Sequence, residues 1–309
     1  MQVELIIKML SKKNKGSKVV VHSGTFHPDD AFAVAILSLY LKKAPNILRS
    51  RDPKVWVKAK YVFDVGGVYD PKHFKFDHHQ KSFNQKRENG IIYATAGLVW
   101  KQFGMKIVKS KEVFEKIDKK VIQPIDAEDN GVELYKNNFK GVSPYTFGDY
   151  IHAINPTWRE KGESLKDFKE AVSEAKKILE REIKRAKDSL ISDKIIENIY
   201  RKSKDKRIIV LNDEYSGWKR ILSKYKEPLF VIKPIFDNKT WHATSMNVEG
   251  SKFKNRLSFP KSWAGKMSEE LQKITGISDA IFCHNKRFIC ASKSKEGAIA
   301  LARLAINKK

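Results

Sequence analysis

A run of three valines, Val19-Val20-Val21, ends directly on His22 and is followed, after a polar loop, by the apolar stretch Ala31 to Leu41. This juxtaposition constrains the fold more than any other feature of the chain. A short run that is apolar at every position reads as a strand buried on both faces, and such strands belong to parallel sheets covered by helices. The pattern predicts a strand over Lys18–His22 and a helix from about Asp30 to Lys43. It continues with a strand over Tyr61–Val65, stopped by Gly66-Gly67. Two further helices are expected. One runs over Ile92–Phe103, with Thr95 as cap and Gly104 as stop, and one over Val113–Ile125, closed by Gly131. Alternating strands and helices predict an α/β fold whose N-terminal domain has a parallel sheet.

Beyond residue 163 the texture changes. Apolar residues recur in steps of three and four at Leu165, Phe168, Val172, Ala175, Leu179, Ile183, Ala186 and Leu190. That spacing predicts a long helix, about Ser164 to Lys204, packed along one stripe and charged on the other face, a connector more than a nucleic-acid-binding helix. Strands are then expected at Arg207–Leu211, Leu229–Lys233, Trp241–Val248, Ala280–His284 and Arg287–Ala291. Asn285-Lys286 would form a hairpin turn that sets Cys283 and Cys290 on one sheet face. A last helix is expected over Lys295–Ile306. The expected organisation is residues 1–162 as an α/β domain, 163–205 as helical connector and 206–309 as a smaller α+β domain.

Several classes fall away. No apolar run reaches the ~18–20 residues that cross a bilayer. The opening segment has no secretory cleavage pattern, and nothing reads as an address, so the cytoplasm is the default expectation. Two cysteines cannot make a disulfide framework. The chain carries 61 Lys+Arg against 36 Asp+Glu, a net charge of +25. A solvated lysine-rich surface accounts for such an excess as readily as a function does, and charge alone does not choose. The functional reading is an anionic partner: nucleic acid, nucleotide or phosphate-bearing substrate.

The chemistry concentrates before residue 131. His22-Ser-Gly-Thr-Phe-His27-Pro-Asp29-Asp30 follows a strand and precedes a helix, the place where ligands collect on parallel sheets. Asp64 ends the next strand. Asp77-His78-His79 sets three ligand-type residues side by side, and Asp126-Ala-Glu-Asp129-Asn130-Gly131 ends a helix. Singly, each has a plain structural explanation, such as a core histidine, a turn or a helix end. Together they make a His/Asp set that suits Mn²⁺ or a similar dication, and the absence of Cys argues against structural zinc. Two ions bridged by one carboxylate would clamp a phosphoryl oxygen and activate a water.

These segments also carry a resemblance. Asp77-His78-His79 is the motif for which the DHH phosphoesterase superfamily is named. His22 to His27, Arg51-Asp52-Pro53, Asp64 to Pro71, Phe76 to Phe83, Asp126 to Gly131, Asn155-Pro-Thr-Trp158, Arg256 to Pro260 and Glu296-Gly-Ala298 together resemble the Myg exonuclease family, from about residue 18 to 307. The match departs from the pattern in two places: the opening His-x-x-x-Asp-x-Asp of the wider superfamily is one residue longer here, with His27 in place of the first Asp, and Cys290-Ala291 stands where the family carries a Gly-Gly pair.

The resemblance implies a DHH-type two-domain fold and a 3′→5′ exonuclease that hydrolyses RNA phosphodiesters with two Mn²⁺ or Mg²⁺ ions. It implies His22, His27 and Asp64 at one ion, and Asp29, Asp64, His78 and Asp126 at the other, with Asp64 bridging. His79 would face the substrate as phosphate contact or proton donor. Asp30 reads as an early-helix acid. In the second domain Arg256, Lys261, Trp263 and His284 are expected to hold substrate, Arg256 on phosphate and Trp263 against a base. For Trp263 a core or interdomain anchor is the equal alternative. Two other activities stay open: hydrolysis of short oligonucleotides, cyclic dinucleotides or pyrophosphate, and non-catalytic nucleic-acid binding.

Overall fold

The computed structural model describes residues 17–160, 165–235, 239–251 and 253–308. The opening segment up to Gly16, in which no signal is expected, lies outside these residues. So does Ser164, the expected start of the long helix.

The chain divides into two compact units, up to Ala186 and from Lys187 onward. The first is built on a four-stranded sheet. Its strands are β1 (Lys18–Val21), β2 (Asn46–Arg49), β3 (Tyr61–Phe63) and β4 (Lys75–Phe76), in the order β2-β1-β3-β4. All pairings are parallel, with Val19 opposite both Ile47 and Tyr61. The valines of β1 are fully buried, as a central parallel strand requires. The helix Pro28–Leu41 is buried almost all round, from Pro28 to Ser38, which explains its lack of a polar face.

The helix Thr95–Val108 packs against it and runs through Gly104, the expected stop. A Cβ at Gly104 would lie 2.7 Å from Trp100 and 2.8 Å from Phe114. That glycine therefore permits close packing of the Trp100 and Phe114 rings, whose centroids are 5.4 Å apart, and the helix ends instead on Lys109 at φ 56°. Thr95 is the first helical residue, and Ala94 stands at the cap. The helix expected over Val113–Ile125 is Lys111–Ile117 followed by a wide π turn, Asp118–Ile122, and a last segment, Gln123–Asp129. Pro124, which has no N–H to give the ladder, accounts for the widened turn before it.

The helix Leu165–Lys202 contains the boundary between the units. The second unit holds β5 (Ile208–Val210), β6 (Phe230–Pro234), β7 (Trp241–Ser245), β8 (Ala280–Cys283) and β9 (Ile289–Ser292), in the order β5-β6-β7-β9-β8. Only β5 and β6 pair in parallel. Cys283 and Cys290 share a sheet face, as expected, but stand directly opposite each other, a register shifted by two residues from the one a two-residue turn at Asn285-Lys286 would set. The helix Lys295–Asn307, capped by Ser294 accepting the Gly297 N–H at 2.9 Å, closes a core of Phe230, Ile232, Phe259, Trp263 and Leu301. The expected fold class, a parallel-sheet α/β N-terminal unit with a smaller α+β unit after it, is the one observed. Among the described residues, no helix is long and apolar enough to cross a membrane.

Candidate metal centre

The carboxyl ends of β1 and β3, the loop after β4 and the end of the helix Gln123–Asp129 converge. His22 leaves β1 and Asp64 leaves β3, each as the residue just past the strand. Asp64 adopts φ 52°, a left-handed backbone that costs an ordinary L-residue roughly 1–2 kcal/mol and that Asp tolerates better than most. Its two carboxylate oxygens face different partners. Oδ2 lies 3.4 Å from His22 Nε2, while Oδ1 lies 3.6 Å from His78 Nε2 and 3.5 Å from His79 Nδ1.

Three groups of side chains have donor atoms close enough to share an ion. They are His22, His27 and Asp64; Asp64, His78 and His79; and Asp29, His78 and Asp129. Asp64 and His78 each belong to two of them. His22 Nε2 is also 2.9 Å from Asp30 Oδ2, and His78 Nε2 is 3.0 Å from Asp129 Oδ2. These atoms are within ion-pairing distance, yet His22 Nε2, Asp30 Oδ2 and His78 Nε2 are buried and make no well-directed hydrogen bond. The donors lie near a shared centre without satisfying one another.

The electrostatics fit a cation in the same way. Asp29 is fully buried and accepts the N–H groups of Thr95 and Ala96 at 3.0 and 2.6 Å. Burial, and then the charges of Asp129, Asp64 and Asp126, raise its pKa well above the carboxylate range in spite of the Ala96 bond. Burial likewise raises Asp30 against the pull of His22. Burial works against a proton on His22, but Asp30 and Asp64 outweigh it and push the imidazole up to about 10. Packed carboxylates without positive charge nearby are costly, and protons stand in for it here. The residues present therefore fit hard divalent cations with mixed O and N donors.

Asp77 does not join the groups. It accepts the Gly67 N–H at 2.6 Å, the His79 N–H at 3.0 Å and lies 2.8 Å from His79 Nδ1. It thereby fixes both the glycine turn after Asp64 and the His79 ring. The His79 side chain remains 62% exposed, and Asp77 against it holds its pKa above the ordinary histidine value despite partial burial.

Asp126 and Arg256 are placed otherwise than expected, Asp30 gains a second partner, and Trp263 takes the core alternative. Asp126 is fully buried, takes the Gly97 N–H at 2.9 Å and pairs with Arg87 at 2.7 Å, and stands in none of the three groups. Asp129, one helical turn on, meets His78 and Asp29 instead. Asp30 does accept the His27 N–H at 3.1 Å, as an early-helix acid does, but its other oxygen faces His22. In the second unit Trp263 is wholly buried in the core beside Phe259, so its faces are closed to a base. The Arg256 guanidinium is taken up by the carbonyls of Ser223, Tyr225, Pro228 and Asn247, which makes it a loop clamp. Lys261 and His284 are exposed; His284 Nδ1 accepts the Lys286 N–H at 3.1 Å.

Comparison with known sequences follows the same span. The family model MYG1_exonuc, described as an uncharacterised protein family (UPF0160), matches residues 18–306. The chain belongs to this family. Within the MYG1 family, the MYG1 protein of Dictyostelium discoideum is 31% identical, covering 94% of this chain and 96% of its own. The MYG1 exonuclease of Homo sapiens is 27% identical, covering 96% of this chain and 87% of its own. Among solved structures, the pGpG-specific phosphodiesterase PggH of Vibrio cholerae aligns over 95% of this chain and 98% of its own, at 14% identity and a TM-score of 0.31.

Proposed function

We propose that this MYG1-family chain is a metal-dependent phosphodiesterase that shortens RNA from its 3′ end. The observation that carries the hydrolytic reading is Asp64, whose two oxygens face His22 on one side and His78 and His79 on the other. A carboxylate so placed bridges two positions. His22, His27 and Asp64 would hold one ion, and Asp29, Asp64, His78 and Asp129 the other, Mn²⁺ or Mg²⁺. Divalent cations there supply Lewis acidity toward a water nucleophile and toward the phosphoryl oxygens.

The chain's own groups supply the rest. Asp77 orients His79 by accepting its Nδ1–H, which leaves Nε2 as the ring nitrogen available to solvent and substrate. Asp77 raises the pKa of this histidine, so in its imidazolium form it would serve as phosphate contact and, through Nε2–H, as proton donor to the leaving oxygen. The net charge of +25 supports a polyanionic substrate. Exonuclease activity is supported by the name of the human relative, and RNA as substrate with 3′→5′ polarity by the resemblance of the motif blocks.

The test is hydrolysis of a 5′-labelled single-stranded RNA with Mn²⁺, beside Asp64→Asn. A descending ladder that the variant loses is the expected result. Intact RNA in both, with metal bound, would overturn the RNA exonuclease reading.

A further inference from the structure

Trp158 is 86% exposed. An indole normally gains stability by burial, and a solitary exposed one forgoes it. This one stands on a braced turn. The Asn155 side chain grips the backbone of Phe26 twice: Oδ1 accepts the Phe26 N–H at 2.9 Å, and Nδ2 donates to the Phe26 carbonyl at 2.9 Å. The next residue in that loop is His27, a candidate ligand, and the His27 ring lies 5.8 Å from that of His152. Pro156 fixes one backbone angle. Thr157 donates its N–H to Glu160 Oε2 at 2.6 Å, and Glu160 returns its N–H to the Thr157 carbonyl at 2.9 Å. The Arg159 guanidinium lies 5.0 Å from the Trp158 ring centroid.

We infer that Trp158 is a stacking platform for a base of single-stranded nucleic acid, placed beside the metal centre by Asn155, with Arg159 supplying positive charge to the adjoining phosphate. A turn tied at both ends holds the indole with little left to lose on binding. Every base offers a π face, so stacking is sequence-tolerant, as trimming of a strand demands. Asn155 grips the loop that carries His22 and His27, so the platform and the ligands are registered against each other. The role expected for Trp263 thus passes to Trp158. The inference deepens the phosphodiesterase reading by naming the recognised part of its substrate, and it rests on that reading only in calling the strand a substrate.

The test is equilibrium binding of a fluorescein-labelled oligoadenylate RNA in EDTA, so that binding is read without cleavage. Trp158→Ala is expected to weaken it about tenfold or more, and Trp158→Phe to retain most of it. On a strand of equal charge that lacks bases, the unaltered protein and Trp158→Ala should bind alike. An unchanged melting temperature shows that the variant folds. RNA affinity unaltered by Trp158→Ala would overturn the inference and leave the indole to a protein partner. So would an equal loss on the base-free strand. Failure of the hydrolytic reading shows separately, as uncleaved RNA with the unaltered protein and Mn²⁺.

Discussion

His22 shows how the candidate centre balances charge. In the metal-free protein its pKa stands at about 10, because Asp30 and Asp64 outweigh the effect of burial. A cation has to displace that proton. Affinity for Mn²⁺ should therefore climb with pH, by about one log unit per pH unit between about 6.5 and 8.5. Titration calorimetry in two buffers of different ionisation enthalpy checks this, and uptake that is flat across that window with no proton released would contradict it. The same pairing contributes to metal-free stability with the opposite trend. That stability is complete below the unfolded value of 6.5 and is lost as pH rises through about 10. Residue types at strand ends made His22, Asp64 and His78 legible in the sequence. Which acid of Asp126 and Asp129 meets them was not legible, because both lie on one helix face three residues apart. The choice depends on Arg87, a distant residue that claims Asp126. Exposure decides between Trp158 and Trp263 in the same way, and no local pattern encodes it.

Among the elements, the helix Thr95–Val108 and the segment Gln123–Asp129 are fastened by a buried charge cluster. Arg87 reaches Asp126 at 2.7 Å and Asp118 at 2.8 Å, and Gly97 gives its N–H to Asp126. A Cβ on Gly97 would fall 1.9 Å from Asp126, so glycine is required for that approach. Burial still pushes Asp126 up to about 7 against the pull of Arg87. Removing one partner of a buried pair strands the other, so Arg87→Met should cost about 3–5 kcal/mol in chemical denaturation. A loss below about 1 kcal/mol would contradict this account of the cluster. Elements with strong periodicity, such as the buried strand β1 and the helix Leu165–Lys202, were legible from pattern. β2, only Asn46–Arg49, and β4, only Lys75–Phe76, were not. Polar residues at Asn46 and Arg49, and at Lys75, leave them without the continuous apolar run that marks β1 and β3, and they pair because β1 and β3 offer them edges. Gly104 misled for a related reason: its meaning lies in Trp100 and Phe114, which no local stop signal reports.

For the whole molecule, each of the three candidate ligand groups lies in the first unit, while the second presents a mixed sheet with a well-filled core. The parallel sheet was legible because strand–loop–helix order leaves few topologies, and strand ends then draw the His/Asp segments together. Substrate contacts in the second unit were less legible, since Arg and Trp serve cores and clamps as readily as ligands. The central claim is that Asp64 joins two cation positions. Mn²⁺ retained per chain after equilibrium dialysis, read by elemental analysis on the unaltered protein and on Asp64→Asn, tests it most directly. Two ions per chain in the first and at most one in the second is the predicted result. No Mn²⁺ in the unaltered protein, or two ions kept by Asp64→Asn, would contradict it.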